Sequence, residues 1–453
     1  MRFLTIGLGH CGGKIANDFK RVALEQKGLI VETCAINTDR ADLATHRYIP
    51  ESHKLIIGTG KGAARNWKEG AEAATQARTN IRELINRLLT PDTDIILITA
   101  GEGGGSGSGI APTVAEVIAE LGKTCTAILT LPFENESVKA KVNAAMGLDL
   151  LYRQEALKAL ICIDNDKITA HFPEKIITEA YERANRTAVG TFTNLLKLAK
   201  TPSLADRIDE SELTIIFDYP GFATLANHKI KANLVTDLAA TLRHSWNSSL
   251  LAEVDSKTAA GAIFGVQGPE NLFTTTHVDA VRRTFSEELV GKDIMLGVYP
   301  VKQTRWTSYV GILAGMNVPK KVEKLLEMAK QETEIHETIL EERKKMKKEG
   351  LGFKLNAERV KPPATTPPVT PPTAPEDVRT WMKRHTNEYK AYVGSAFKYI
   401  QTLSGQTYAL NELINAIKGH LDLDDEAIIL SIIEALVAEG FIVEKKKNVF
   451  LVL

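Results

Sequence analysis

A glycine-rich loop offers the clearest chemistry in this chain. Most positions from Ala100 to Gly109 are glycine, and the loop lies between a strand pattern at residues 94–99 and a helical pattern that begins at Pro112. Glycine lets the backbone turn tightly and leaves N–H groups that no side chain covers. The next helix adds its own N–H groups and the positive end of its dipole. The pattern predicts a phosphate-binding cradle; a flexible glycine linker is the alternative, which the regular flanks disfavour.

A second glycine loop follows the apolar strand pattern at residues 3–6. Residues 7–14 contain the spacing G-x-G-x-x-G and open a helix. That spacing is typical of dinucleotide-binding folds, which also need an acidic residue at the end of the second strand. Asp39 comes slightly late for that role, so an NAD-dependent oxidoreductase is kept as the alternative. The P-loop families are excluded because the loop at 100–109 has no Gly-Lys-Ser/Thr.

The two loops and several later motifs resemble the tubulin/FtsZ superfamily of filament-forming GTPases. Residues 103–109 match the signature Gly-Gly-Gly-Thr-Gly-Thr/Ser-Gly, with Ser106 for the first Thr, and residues 12–15 look most like CetZ, the archaeal tubulin-like branch. Further landmarks follow in family order at residues 37–39, 58–63, 132–136 and 164–167. The resemblance covers about residues 1–315. It implies GTP or GDP as ligand, accompanied by Mg²⁺, with no metal-ligating residue assigned.

The resemblance implies that the two loops and the first landmark bind the nucleotide. The residues concerned are Gly9, His10, Cys11, Gly12, Gly13, Lys14, Asn37, Gly103, Gly104, Gly105, Ser106 and Gly107. We expect a side chain at Gly105 to fill space that the phosphates need. Glu102 stands where relatives have an apolar residue. Because a carboxylate repels phosphates unless a cation intervenes, Glu102 is expected to face either a Mg²⁺ shell or solvent.

Four further residues are implied to contact the ribose and the base. Glu136 matches the acidic residue that meets the ribose hydroxyls in FtsZ, and Asn165 approaches from the neighbouring loop; either could be an ordinary turn residue. On the long predicted helix, Tyr181 would stack on the base and Asn185 would face its Watson–Crick edge. A solvent-facing helix position is the alternative for Asn185. Arg186 stands where FtsZ carries an Asp.

No base or nucleophile lies near the glycine loops in the sequence. In the family, the loop after the long helix of one subunit completes the active site of the next. The matching stretch is residues 207–213, in which Asp209 and Glu212 align with the two acidic catalytic positions and Arg207 replaces an FtsZ Asn. Their i, i+3 spacing puts both carboxylates on one face at a helix start. The same spacing also describes a helix capping box, which is the structural alternative.

Composition indicates an intracellular enzyme rather than a nucleic-acid-binding or membrane protein. The 453 residues include 56 Lys and Arg against 56 Asp and Glu, so the chain has no bulk attraction to polyanions. No stretch approaches 18 consecutive apolar residues, and the four cysteines show no C-x-x-C spacing. We therefore expect a cytoplasmic protein without a membrane span.

Strand and helix patterns alternate along the first 175 residues, which predicts a parallel sheet covered on both faces. Strands are expected at 3–6, 29–36, 94–99, 125–131, 159–163, 262–267, 294–301 and 307–314, and helices at 13–26, 64–89, 112–122, 137–155 and 174–200. The predicted fold is α/β: a tubulin/FtsZ-like nucleotide-binding parallel sheet plus a smaller α/β domain, then a Pro-rich linker and a winged-helix domain. The parts are a GTP-binding domain (1–175), a core helix and catalytic loop (176–205), a C-terminal α/β domain (206–318), a charged helical extension (319–358), the linker (359–379) and the winged helix (380–453).

The final region predicts a winged helix from helical patterns at 381–404, 411–417 and 426–437 and a hairpin at 441–452. Its third helix opens with the acidic residues 424–426, and its basic cluster is residues 445–447. Three lysines neutralise few phosphates, so a protein partner or self-association is favoured over DNA. The charged helix at 318–348 is expected to be a solvated outer helix with i, i+4 ion pairs.

Together these features predict a GTP-binding and GTP-hydrolysing cytoskeletal protein that polymerises head to tail, with an active site completed between subunits. The alternative is a nucleotide-regulated scaffold or DNA-segregation filament that hydrolyses little, in which the winged-helix domain recruits a partner.

Overall fold

The computed structural model divides into two compact units, Met1–Phe353 and Lys354–Leu453, each considered by itself. In the first unit it describes residues 2–25, 30–203, 206–235, 237–247, 249–289 and 292–349. In the second it describes residues 396, 399, 407–421, 429–430, 432–433, 436–437, 442–446 and 449–452. The predicted linker at 359–379 therefore lies outside the described residues.

Ten strands of the first unit form one sheet. They are β1 (Arg2–Leu8), β2 (Ile30–Asn37), β3 (Lys54–Ile56), β4 (Ile95–Gly101), β5 (Cys125–Leu131), β6 (Leu157–Asp164), β7 (Gly221–Lys231), β8 (Gly261–Pro269), β9 (Asp293–Val301) and β10 (Trp306–Met316). Their order across the sheet is β3-β2-β1-β4-β5-β6-β7-β10-β8-β9. Strands β1 to β7 pair in parallel, β10 is antiparallel to both β7 and β8, and β9 is parallel to β8.

Helices cover this sheet on both sides. They are α1 (Gly9–Glu25), α2 (Arg40–Ala44), α3 (Trp67–Gln76), α4 (Arg78–Leu88), α5 (Gly105–Glu120), α6 (Val138–Tyr152), α7 (Asn165–His171), α8 (Ile177–Leu198), α9 (Glu210–Phe217), α10 (Leu238–Asn247), α11 (Thr275–Glu288) and α12 (Lys320–Glu349). Among the helices that the structure describes, none has both the length and the apolar character needed to cross a bilayer.

The sheet has a hydrophobic core on each face, as the near-continuous apolar strand patterns predicted. Along β1, Phe3 points into one core and Leu4 into the other. In the core that contains Phe3, its ring packs against those of Phe19 of α1 and Phe192 of α8. The ring centroids are 5.9 Å apart for Phe3 and Phe19 and 6.1 Å apart for Phe3 and Phe192. Helix α8 is thereby fixed against the sheet over most of its length.

The predicted α/β architecture is confirmed, and each strand pattern named from the sequence falls on an observed strand. Two strands were missed, the short β3 and the eleven-residue β7. The helix expected from Pro112 begins instead at Gly105, inside the glycine loop. The helix expected over 64–89 is two helices, α3 and α4, which meet at Ala77.

The charged helix is present as α12, but the expectation of a merely solvated helix was wrong. Its residues Val322, Leu325 and Ala329 are buried, and its ion pairs reach other elements of the fold. Lys141 of α6, for instance, lies 2.6 Å from Glu332.

In the second unit, the described residues include a helix α13 (Leu410–Leu421) and three short strands, β11 (Thr407–Ala409), β12 (Ile442–Lys446) and β13 (Val449–Val452). The predicted hairpin is present, because β12 and β13 pair antiparallel, and β11 pairs with the other edge of β13. Most of the predicted first helix and the acidic start of the third lie outside the described residues. The winged-helix assignment thus stays a prediction.

Candidate functional site

A cavity of about 510 Å³ opens at the edge of the sheet where the parallel strands β1, β4, β5 and β6 end. Carboxyl ends of parallel strands are the usual place for ligands in such sheets. Nine of the residues predicted to bind nucleotide line it: His10, Cys11, Lys14, Gly104, Ser106, Gly107, Asn165, Tyr181 and Asn185. The structure therefore brings together residues from four separate sequence motifs.

The two glycine loops contact each other at the floor of this cavity. Gly9 has a φ of +66°, and a Cβ placed on it would lie 3.0 Å from the backbone nitrogen of Gly107. A Cβ on Gly12 would lie 2.0 Å from the carbonyl oxygen of Thr99. These glycines are therefore needed for close backbone packing, which sets the two loops side by side.

Helix α5 begins in the glycine-rich loop and presents its N-terminus to the cavity. Its N-cap, Gly104, provides no side-chain hydrogen bond, so the first N–H groups of the helix have no cap of that kind. The Ser106 hydroxyl is 2.7 Å from that of Thr38, at the end of β2. Backbone N–H groups and the helix dipole together favour an anion at this position.

The neighbouring glycines face different surroundings. A Cβ on Gly104 would have no atom nearer than 3.9 Å, whereas a Cβ on Gly105 would lie 2.6 Å from the backbone nitrogen of Asn66. A side chain at Gly105 would thus collide with the loop before α3 rather than enter the cavity. The expectation for Gly105 was wrong, and Gly104 is the position where added atoms would enter open space.

Two other predicted residues do not line the cavity, and the side chain of each accepts a hydrogen bond from a nearby backbone group. Asn37 is buried and its Oδ1 accepts a hydrogen bond of 3.2 Å from the backbone N–H of Asp39. Glu136 accepts one of 3.2 Å from the backbone N–H of Phe133, as an ordinary turn residue would. The remaining five predicted residues outside the lining are glycines that pack the loops: Gly9, Gly12, Gly13, Gly103 and Gly105.

Part of the cavity wall is formed by the N-terminal half of α8, through Tyr181 and Asn185. Asn185 is 8% exposed and faces the cavity, which contradicts the solvent-facing alternative. Tyr181 lies one turn earlier, with its ring centroid 6.4 Å from that of Phe133. Burial and the charge of Glu136 raise the pKa of Tyr181, so its hydroxyl stays protonated. An aromatic side chain and a buried amide thus line the same cavity as the α5 N-terminus.

Charged and titratable groups lie in and beside the cavity. His10 Nδ1 is 2.9 Å from a carboxylate oxygen of Asp42, while burial and the charge of Lys14 lower the pKa of His10. His46 packs over Gly13, and burial lowers its pKa to about 4, so it is neutral at pH 7. Lys14 and Arg65 line the cavity and make no ion pair with the residues that the structure describes.

Glu102 lies between α5 and α6 and is only 6% exposed. Neither of its carboxylate oxygens has a hydrogen-bond partner among the described residues. Burial raises the pKa of Glu102 to about 7, and the nearby Ser108 hydroxyl offsets part of that effect. The expectation that Glu102 might face solvent was therefore wrong.

The loop before α3 has a strained backbone beside the glycine-rich loop. Ala64 and Arg65 have φ values of +46° and +52°, a conformation that costs about 1–3 kcal/mol for residues other than glycine. Asn143 of α6 holds this loop: its amide donates to Arg65 O at 2.9 Å and to Gly103 O at 3.0 Å. Its Oδ1 accepts from the Trp67 N–H at 3.1 Å. No sequence pattern pointed to Asn143, because its partners are backbone groups of distant loops.

The two candidate catalytic carboxylates lie outside the cavity. Asp209 Oδ1 accepts from the Glu212 N–H at 2.8 Å, and Glu212 Oε2 accepts from the Asp209 N–H at 2.8 Å, which is a complete capping box at the start of α9. Along α8, Asn185 and Leu198 are separated by about 20 Å. Asp209 follows the far end of that helix, so one subunit does not bring its own carboxylates to its own cavity.

Comparison with known proteins identifies the family of this chain. The tubulin/FtsZ family, GTPase domain, matches residues 2–172. The tubulin-like protein CetZ of Pyrococcus abyssi is 32% identical over 339 residues, which is 73% of this chain and 90% of that relative. The chain belongs to the tubulin/FtsZ family.

Solved structures of the family share the fold. CetZ2 from Haloferax volcanii, as a GTPγS-bound protofilament, has a TM-score of 0.66 at 24% identity and covers 74% of this chain and all of that one. CetZ1 from the same organism, as a GDP-bound monomer, has a TM-score of 0.64 at 22% identity over the same share of this chain. The family consists of GTP-binding cytoskeletal proteins, and the chain is one of its CetZ-like members.

Several residues of the cavity were not found from the sequence of this family member. Asp42, Arg65 and Thr130 line it alongside the predicted residues. Arg65 lies two residues after the glycine landmark at residues 58–63, which was the available signal. Asp42 and Thr130 gave none, because their positions depend on how α2 and β5 pack against α1.

Proposed function

We propose that the chain binds GTP and GDP in the cavity at the α5 N-terminus. The observation that carries this proposal is that two glycine loops contact each other there, below an exposed helix N-terminus and beside Lys14. Backbone N–H groups and cations are the groups that bind phosphates most strongly. The CetZ2 neighbour is a GTPγS-bound protofilament, which supports the same ligand here.

The base is proposed to lie at the α8 end of the cavity. The ring of Tyr181 offers a stacking surface, and the amide of Asn185 carries a donor and an acceptor for the Watson–Crick edge of guanine. Both side chains are held by a helix that is packed against the sheet. Guanine rather than adenine remains a proposal that rests on this one amide and on family membership.

Mg²⁺ is proposed to accompany the triphosphate. Mg²⁺ in nucleotide sites is usually held by the phosphates, several waters and one or two carboxylates. Asp42 lines the cavity and is partly exposed, whereas Glu102 is buried and, with its pKa raised to about 7, is only about half ionised at pH 7. Asp42 is therefore the residue that would complete the ion's coordination.

Hydrolysis is proposed to occur between subunits. Asp209 and Glu212 follow the end of α8 that lies away from the cavity, so head-to-tail stacking would bring them over the nucleotide of a second copy. There, carboxylates on one helix face could orient the attacking water. Neighbours that form protofilaments support this assembly.

A nucleotide-regulated scaffold with little hydrolysis is the second candidate, and the capping box favours it. Asp209 and Glu212 already bond each other's backbone, which is a sufficient structural reason for both residues. In either case we propose that the second unit recruits a protein partner in preference to DNA, because its basic cluster at residues 445–447 is small.

Nucleotide binding is tested by calorimetry with GTP, GDP, ATP and NAD. We expect GTP and GDP to bind, and Gly104→Val to weaken both by at least about tenfold, because the side chain enters the cavity. Gly104 has an extended backbone, so valine causes no strain. Gly190→Val is the matched control, since a Cβ on Gly190 of α8 meets no atom within 4 Å. Preferred binding of NAD, or unchanged GTP affinity in Gly104→Val, would contradict the proposal.

A further inference from the structure

Lys321, near the start of α12, is a buried cation that contacts three carboxylates. Its side chain is 8% exposed, and its Nζ lies 3.5 Å from Glu134 Oε1 and 3.8 Å from Asp164 Oδ1. It also donates a hydrogen bond to Asp166 Oδ2. The three acids come from two connecting loops that are distant in sequence, the one between β5 and α6 and the direct junction of β6 with α7, so Lys321 joins α12 to both.

These two loops border the base end of the cavity. Glu134 directly follows Phe133, whose ring packs near that of Tyr181. Asp164 and Asp166 flank Asn165, which lines the cavity. The loops also contact each other, because the backbone N–H of Glu134 donates to Asp166 Oδ2 at 3.3 Å.

The charge balance of this cluster depends on Lys321. Asp164 is partly buried, and its side chain is 9% exposed. Without a cation, three close carboxylates repel each other, and leaving buried charges uncompensated is costly. The second lysine, Lys324, pairs with Glu134 at 2.6 Å but is 56% exposed, so solvent screens most of its contribution.

We propose that Lys321 is a positioning residue that fixes the walls around the ribose and base of the bound nucleotide. The inference rests on the proposed function and adds a role for α12, a helix outside the nucleotide-binding motifs. Lys321 does not touch the cavity itself; it acts through the loops that carry Phe133 and Asn165.

Helix α12 has other attachments that would keep it in place without Lys321. Val322, Leu325 and Ala329 are buried, and Glu332 pairs with Lys141 at 2.6 Å. Loss of the Lys321 charge should therefore disturb the two loops more than the helix. Because the helix should stay in place while the loops shift, a positioning role can be distinguished from a general loss of stability.

The test compares Kd values for GTP and GDP in the full chain carrying Lys321→Met, Lys321→Arg or Lys330→Met. We expect Lys321→Met to weaken the binding of GTP and GDP by the same factor, because both nucleotides contain the ribose and the base. The factor should be about tenfold, which corresponds to the loss of about one hydrogen bond in binding free energy. Lys321→Arg should restore most of the affinity. Lys330 is an exposed lysine of the same helix, and its substitution should leave both Kd values unchanged.

A second variant keeps the test informative if Lys321→Met folds poorly. Asp166→Asn added to Lys321→Met removes one of the repelling carboxylates and should recover part of the affinity and of the melting temperature. Unchanged Kd values in a folded Lys321→Met protein would overturn the positioning role alone, as would a loss confined to GTP. Failure of the unmodified chain to bind guanine nucleotides would overturn the proposed function, and this inference with it.

Discussion

Among single residues, the buried carboxyl group of Glu102 should make the stability of the fold depend on pH. Burial raises its pKa to about 7, against a usual value of 4.5. Between these pH values the folded chain binds a proton that the unfolded chain does not, so Glu102 makes stability fall as pH rises from about 4.5 through 7. Once the pH is well above 7, the free energy of unfolding should have fallen by on the order of 3 kcal/mol. We expect the melting temperature of the unmodified chain to drop over this window relative to that of Glu102→Gln.

The comparison is made between the two proteins at each pH because other groups also titrate. His46, with its pKa lowered to about 4, makes stability rise from about pH 4 to 6.5, but it is present in both proteins. Its contribution cancels in the difference. Parallel melting curves from pH 5 to 8 would show that Glu102 does not carry the proton.

At the scale of elements, the loop before α3 depends on a single side chain of α6. Asn143→Leu removes three hydrogen bonds and leaves the buried carbonyl of Gly103 and the partly buried backbone groups of Arg65 and Trp67 without those partners, so we expect the free energy of unfolding to fall by about 3 kcal/mol. Asn143→Asp retains the acceptor for the Trp67 N–H but places a carboxylate against two carbonyl oxygens. Hydrogen exchange should show the Trp67 amide protected in the Asp variant and exposed in the Leu variant. Equal protection in both would contradict this account.

The elements also show what the sequence could predict. Apolar strand patterns identified most of the sheet, and glycine spacing identified the two loops that meet at the cavity. The start of α5 was missed because glycine and serine are poor helix formers; close packing of the loop against Gly101 and Asn66 imposes the helix there. The buried face of α12 was signalled by the spacing of Val322, Leu325 and Ala329, although its many charges obscured it. The partners of Asn143 and Lys321 could not be predicted, since each bridges loops that only the fold brings together.

At the scale of the whole molecule, the cavity proposed to bind nucleotide and the proposed catalytic carboxylates lie near opposite ends of α8. A lone subunit therefore holds a nucleotide cavity and a separate pair of acids. The proposed head-to-tail stacking would join them, and it requires the same surface pairing to repeat along a filament. Turnover should then depend on assembly and on the charges of Asp209 and Glu212, rather than on the helix cap that they form.

Assembly-dependent turnover is tested with variants that preserve the cap. Asn at position 209 and Gln at position 212 are both good capping-box residues, so Asp209→Asn and Glu212→Gln remove charge while the start of α9 stays intact. We expect the unmodified chain to hydrolyse GTP faster per molecule above a threshold concentration. Each variant should bind GTP normally and assemble at the same threshold, but turn over about 100-fold more slowly and form longer-lived filaments. Phosphate release and light scattering across a dilution series measure both properties. Turnover that stays constant down to dilute monomer would reject the site between subunits, and full turnover in both variants would leave the two carboxylates with the capping role alone.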